Sequence, residues 1–167
     1  KFLNPAGDMV VLREAGSLVI DMPALVPQPV VCPTALVAAL GETPRELLAS
    51  KHYLCVFENE DMVADLQPDF VALANLDLPA VIVTAPASNE FDFVSRFFAP
   101  ANGVPEDSVS GVAHCCLTPF WSQHLGRRKM KAKQLSTRGG VIDCELDGDR
   151  VRLAGSAIIF LEGQISI

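Results

Sequence analysis

RFFAPANGVPEDSVSGVAHCCLTPFWSQHLG, residues 96–126, sets an acidic loop directly against the start of a strongly apolar helix. Glu106 and Asp107 lead into Ser108, Val109, Ser110 and Gly111. After them Val112, Ala113, Cys115, Cys116, Leu117, Phe120, Trp121 and Leu125 put apolar groups on most faces of the segment. A helix that is apolar nearly all round is buried nearly all round. Its first turn has unpaired backbone N–H groups at the positive end of the helix dipole, so the Ser110-Gly111-Val112 start is a small anion receptor beside Asp107. Capping alone also explains a Ser-Gly helix start, and a capped core helix is the plainer reading of the same residues.

Working outward, 130–136, 141–146, 150–153 and 157–161 read as four β-segments, with turns at Gly139-Gly140 and Asp147-Gly148. Upstream, 91–98 alternates apolar and polar residues, with Phe91, Phe93 and then Phe97 or Phe98 facing inward. The unbroken apolar run 80–84 is a strand of the kind buried on both faces. Residues 68–76 fit a helix with Phe70, Leu73 and Ala74 on one face, 62–66 a short strand or turn, and 53–58 a strand. Thr34 is placed to cap a helix over 35–40 that Gly41 ends; Thr43, Pro44 and Glu46 start another, with proline at its first position. Residues 9–12 and 17–22 form a hairpin, and Pro23, Pro27, Pro29 and Pro33 make an extended linker, since each fixes φ and removes a donor. The pattern is an α+β fold, a mixed, largely antiparallel sheet wrapped around a central buried helix. Its main boundary falls in the linker, dividing the chain into 1–22, 23–33 and 34–167.

Composition narrows the function. The 167 residues are 50% hydrophobic and 20% charged, toward the apolar end for a domain of this size, as expected if some apolar surface faces a further part of the protein. A net charge of −7 argues against a nucleic-acid partner, because phosphate binding needs clustered Lys and Arg. The one basic cluster, Arg127, Arg128, Lys129, Lys131 and Lys133, follows the helix end and reads as solvated charge beside the dipole's negative pole. Cysteines 32, 55, 115, 116 and 144 have no zinc spacing and an odd count, which fits a reducing compartment; Cys115 and Cys116 read as small hydrophobes. No run of about 18 apolar residues and no signal-peptide core is present, so a cytoplasmic, non-membrane location is expected. Lys1 in place of an initial Met is what a processed or partial chain shows.

FDFVSRFFAP (91–100), EDSVSGVAH (106–114), WSQHLG (121–126), QLSTRGG (134–140) and GSAIIFLEG (155–163) occur in this order. Together they resemble the C-terminal half of the PhzF-like (phenazine-biosynthesis-like) family, whose fold is that of diaminopimelate epimerase. The resemblance implies an isomerase that moves a proton on a small carboxylate substrate, without metal or organic cofactor, in a cleft between two similar domains. It assigns the 1–22 hairpin to an otherwise missing N-terminal domain and makes the last strand a candidate to cross to it. The partner implied is that separate half or a second copy of the chain.

By the same resemblance Asp107 matches the loop aspartate of the cleft, Gly111 the glycine whose N–H faces substrate, and Val112 a position usually held by serine. Ser110, Gly111 and Val112 are thus the substrate-binding candidates, Asp107 and His114 the catalytic ones. Two departures matter. The family's general acid/base glutamate and a Gly-His pair lie in the half this chain does not span, and Val112 has no hydroxyl to offer. A carboxylate just ahead of a helix start is stabilised as the anion, which suits Asp107 to orienting rather than donating a proton. His114, in the first turn, reads as a hydrogen bond to the preceding loop or as a proton-transfer group, His124 as a cation at the helix end, and His52 carries no signal. No two histidines share ligand spacing with a third Cys, Asp or Glu on one element, so no metal site is expected. Ser136, Arg138 and Gly139 belong to the recurring Gln-x-Ser-x-Arg-Gly-Gly segment, read as a turn with structural charge pairing. The alternative function is a non-catalytic relative that keeps only a small-carboxylate pocket or an oligomerisation surface.

Overall fold

In the computed structural model, which describes residues 9–14, 16–88, 90–157 and 160–164, the chain opens on the expected hairpin. Strand β1 (Val10–Glu14) pairs antiparallel with β2 (Ser17–Pro23), Glu14 opposite Ser17. The proline-rich stretch contains a two-residue strand, β3 (Gln28–Pro29), at the sheet edge, where a proline is tolerated. Helix α1 (Thr34–Leu40) is closed by Gly41 at φ 78°, but its N-cap is Pro33 and no side chain caps it, so Thr34 lies inside the helix instead of before it.

The second expected helix is a strand. Leu47 and Leu48 of β4 (Glu46–Ala49) are buried into two different apolar clusters, an alternation only a strand provides, and this packing overrides the Pro44 helix signal. After β5 (Tyr53–Val56) the segment expected as strand or turn is helix α2 (Glu60–Asp65). The Asn59 side chain accepts the Met62 N–H at 3.0 Å, and Glu60 and Asp61 sit in its first turn, where the dipole favours them. Helix α3 (Phe70–Ala74) is capped by Asp69, which accepts the Val71 and Ala72 N–H groups.

Strands β6 (Val81–Pro86) and β7 (Phe93–Phe98) precede helix α4 (Gly111–Leu125), and β8 (Lys129–Gln134), β9 (Gly140–Asp147) and β10 (Arg150–Gly155) follow it. Of the last expected strand, residues 158 and 159 lie outside the described residues, and 157, 160 and 161 are in no strand. All ten strands form one sheet in the order β1-β2-β10-β9-β8-β7-β6-β5-β4-β3. Only the β5–β6 and β7–β8 pairs are parallel among the described strands, so the sheet is mixed and largely antiparallel, the expected fold class.

The sheet curls around α4, in which every residue from Ala113 to Ser122 is buried. Leu54, Ile82, Phe93, Phe97, Met130, Ala132, Ile142, Cys144, Val151 and Leu153 face it from the six strands β5 to β10. A second apolar cluster covers the opposite face of β4–β7: Leu47, Cys55, Val81, Val83, Val94 and Phe98 pack on Leu36, Leu40, Val63 and Leu73 of the three short helices. β6 is therefore buried on both faces, which its unbroken apolar run encodes. Phe91 joins neither cluster and lies near the ammonium groups of Lys131 and Lys133.

A proline inside α4 is used structurally. Pro119 has no N–H for the carbonyl of Cys115, one helical turn back, and that carbonyl instead accepts the N–H of Leu25 at 2.9 Å. Ala24 N–H is bonded to Asp149 O at 2.8 Å, so the start of the linker is fastened at two points. The basic cluster after α4 pairs with acids rather than with the helix dipole: Arg127 with Asp92, Arg128 with Asp147, Lys129 with Glu145. Alternating acidic and basic strands make such cross-strand pairs on a solvated face.

Candidate functional site

The acidic loop is held from below by Arg96 of β7. Its Nε and Nη2 donate to Glu106 Oε1 and Oε2 at 2.8 and 3.1 Å, a bidentate pair, and Nη1 donates to the carbonyls of Val63, Ala64 and Leu66 at the C-terminal end of α2. Glu106 is thus a structural anchor. Asp107, beside it, donates its N–H to Phe97 O at 2.9 Å, while its carboxylate has no hydrogen-bond or ion-pair partner among the described residues. The expected stabilisation of that carboxylate by loop N–H groups is absent from the geometry.

The next three residues are clamped from the end of β8. Gln134, fully buried, donates Nε2–H to Asp107 O at 2.7 Å and accepts the Ser110 N–H at Oε1 at 2.9 Å. Ser136 donates its hydroxyl to Ser108 O at 2.6 Å and accepts the Gly139 N–H at 3.0 Å, so this segment is a loop clamp rather than a charge-paired turn. Gly139 makes the turn at φ 70°. At Gly140 a Cβ would lie 2.3 Å from Val109 Cγ2, which is why that position carries no side chain.

Ser110 then caps α4, its hydroxyl accepting the Ala113 N–H at 3.2 Å. With Ser110 N–H taken by Gln134, the Gly111 and Val112 N–H groups are left without an acceptor among the described residues, at the positive end of a 15-residue helix. Gly111 lines a cleft of about 500 Å³ whose walls include Val109, Gly140, Ile142 and Leu153, and whose one charged residue is Arg138. Arg138 has no acidic partner among the described residues. A Cβ at Gly111 would lie in ordinary contact with Leu153 Cδ1 at 3.8 Å and Met22 Sδ at 3.9 Å, so a methyl fits there but a larger side chain would have to displace them or enter the cleft. The cleft combines apolar side chains with exposed backbone, one cation and one helix N-terminus, a chemistry suited to a small organic anion. A second cleft of about 460 Å³ on the outer sheet face contains Glu14, Lys129, Glu145 and Arg152, but these charges pair with one another across the strands.

The structure separates the five candidates. Gly111 lines the cleft, Ser110 is the cap behind it, and Val112 packs partly against the inner core. Asp107 is joined to the helix start through the Gln134 amide but does not line the cleft wall. His114 is fully buried. Its Nδ1 lies 2.6 Å from Ser110 O and its Nε2 has no partner. Burial holds the imidazole neutral by lowering its pKa from 6.5 to about 4, only partly offset by the bond to Ser110, so Nδ1 carries the proton. Burial likewise pushes the thiols of Cys115, Cys116 and Cys144 up to about 12, 11 and 12, which leaves them as unreactive core groups. Three or more metal-ligating side chains do not come together anywhere among the described residues. No described helix is long and apolar enough to cross a membrane.

Residues 33–163 match the phenazine biosynthesis-like protein family. The chain belongs to that family. Two relatives in Pseudomonas aeruginosa, both named uncharacterized isomerases, are 41% and 45% identical over the whole chain. Among solved structures, a phenazine biosynthesis protein of the PhzF family from Enterococcus faecalis superposes with a TM-score of 0.87 at 36% identity, covering 94% of this chain and 60% of that one. A putative PhzC/PhzF protein from Clostridium difficile gives a TM-score of 0.85 at 36% identity, over 94% of this chain and 61% of that one. The chain spans 64% of the length of the two Pseudomonas relatives. This phenazine biosynthesis-like chain therefore carries the fold around α4 and the cleft at its start.

Sequence reasoning missed Gln134 and the place of Arg138. The signal for the first was present: Met130, Ala132 and Gln134 share the inward face of β8, and a glutamine in a buried row has to be satisfied by something.

Proposed function

We propose that the chain supplies one wall of the active site of an isomerase that transfers a proton on a small carboxylate substrate. The supporting observation is the cleft of about 500 Å³ at the α4 start, which Gly111 lines without a side chain and where Arg138 has no acidic partner among the described residues. The substrate carboxylate is received by the Gly111 and Val112 N–H groups, with Arg138 adding charge, while the apolar wall takes the rest of the molecule. Asp107 keeps an unpaired carboxylate on the same clamped loop, outside the cleft wall, and orients a polar group of the substrate where the rest of the active site meets that loop. His114, buried and neutral, holds the loop through Ser110 O and does not move a proton. The base that takes the carbon-bound proton comes from the length of the protein this chain does not span, or from a second copy. Val112, which offers no hydroxyl, favours a second reading in which the cleft binds a carboxylate without turning it over.

Succinate serves as the probe. Added to the natural polypeptide that carries this chain, it should shift the Gly111 and Val112 amide resonances, and Gly111→Leu should abolish the effect with a stability loss of about 1 kcal/mol. A Gly111→Leu variant that still titrates with succinate as the native protein does contradicts the site.

A further inference from the structure

Two loops at one end of the sheet are fastened to each other residue by residue, and β8 supplies the fastening. Asp107 O and Ser110 N–H are both satisfied by the one amide of Gln134 at 2.7 and 2.9 Å, Ser108 O by Ser136 at 2.6 Å, and Val109 lies against the bare Cα of Gly140. The amide orientation has a single solution, because a backbone carbonyl requires the nitrogen and a backbone N–H requires the oxygen. This side chain is 0% exposed, so a partner lost here is not replaced by solvent.

The consequence reaches the helix start. The first N–H groups of α4 are shared out in order: Ser110 to Gln134, Ala113 to the Ser110 hydroxyl, His114 to Ser110 O. Gly111 and Val112 remain. Gln134 also fixes the interval between Asp107 and Ser110, which it bridges from one end to the other.

We propose that Gln134 is a positioning residue of the cleft: by bridging Asp107 O and Ser110 N–H it decides which helix-start donors stay open and where the Asp107 loop stands relative to them. The proposal rests on the reading of the cleft as a carboxylate site. Gln134 touches no ligand and acts through the loop. Methionine at this position keeps length and volume and removes both bonds. Glutamate retains the acceptor, and it can donate to Asp107 O only while protonated, a form that burial favours.

The test uses the natural polypeptide, succinate as probe, and the Gly111 and Val112 amide resonances as readout. Gln134→Met, with a native circular dichroism spectrum, should bind succinate about tenfold more weakly than the native protein. Gln134→Glu should bind as the native protein does at the acid end of its folded range and lose affinity as pH rises while its circular dichroism stays native, a dependence that loss of folding alone does not produce. Should Gln134→Met fail to fold, the pH profile of Gln134→Glu decides alone. Native affinity in Gln134→Met, or a Gln134→Glu profile parallel to the native one, overturns the proposal while leaving the carboxylate site standing. A native protein that does not respond to succinate overturns the site itself and the proposal with it.

Discussion

Replacing Arg96 by methionine should destabilise the protein by about 2–3 kcal/mol, the cost of removing charge-assisted hydrogen bonds around a half-buried ion pair. The guanidinium makes five hydrogen bonds, two to Glu106 and three to carbonyls of residues 63, 64 and 66, and its carbon lies 4.9 Å from the centre of the Phe98 ring. Side-chain exposure is 11% for Arg96 and 18% for Glu106, so water replaces only part of what is lost. Methionine preserves the stem and leaves Glu106 as a half-buried charge without its counter-ion. Glu106→Gln should cost less, about 1–2 kcal/mol, because its amide oxygen still accepts one N–H. Urea unfolding of the three proteins checks the order. Equal midpoints for native and Arg96→Met would mean that the pair is only a surface contact.

The second large effect is on acid stability. Folded His114 stays neutral down to about pH 4, whereas in the unfolded chain it takes a proton below its ordinary 6.5. Between those values the unfolded state binds more protons, so stability falls as pH is lowered from 6.5 to about 4 and this contribution is flat outside that window. The loss is on the order of 3 kcal/mol. His52, packed edge-on against Phe97 and lowered mainly by burial, acts in the same direction, so the comparison has to be with His114→Gln rather than with theory. The variant's unfolding midpoint should drop by that much less than the native protein's between pH 6.5 and pH 4. Identical drops would mean that His114 is reached by water and protonated in the folded state.

What could be read from the sequence follows physical range. Helix α4 was legible because its own residues are apolar all round and bounded by Ser110 and Gly126, signals that need no neighbour. The unbroken apolar run of β6 and the turns at 139–140 and 147–148 are local in the same sense. β4 was not legible: Pro44 and Glu46 announce a helix, and only the two clusters that take Leu47 and Leu48 in opposite directions make it a strand. At the site, the Ser110 cap and the opening at Gly111 follow from residue types beside each other. The clamp by Gln134 and the anchoring of Glu106 by Arg96 join positions 24 and 10 residues apart or more, and the Leu25 bond that relieves Pro119 joins a linker to a helix core. Such pairings are created by the sheet order, which no local pattern states.

On the proposed function the labour is divided: this chain receives the carboxylate and orients the substrate, and the proton-abstracting base lies elsewhere. A base must approach within about 3 Å of the carbon-bound proton, and Gly111, Val112 and buried His114 offer none at the cleft. Solvent deuterium incorporation at the α-carbon, followed by NMR on a panel of small hydroxy- and amino-acids, measures the claim directly. The isolated 167-residue chain should incorporate no deuterium. The natural polypeptide that carries it should incorporate deuterium at one substrate of the panel and lose at least about a hundredfold in rate on Asp107→Ala. Deuterium incorporation by the isolated chain would contradict the account, since the residues present in it would then suffice.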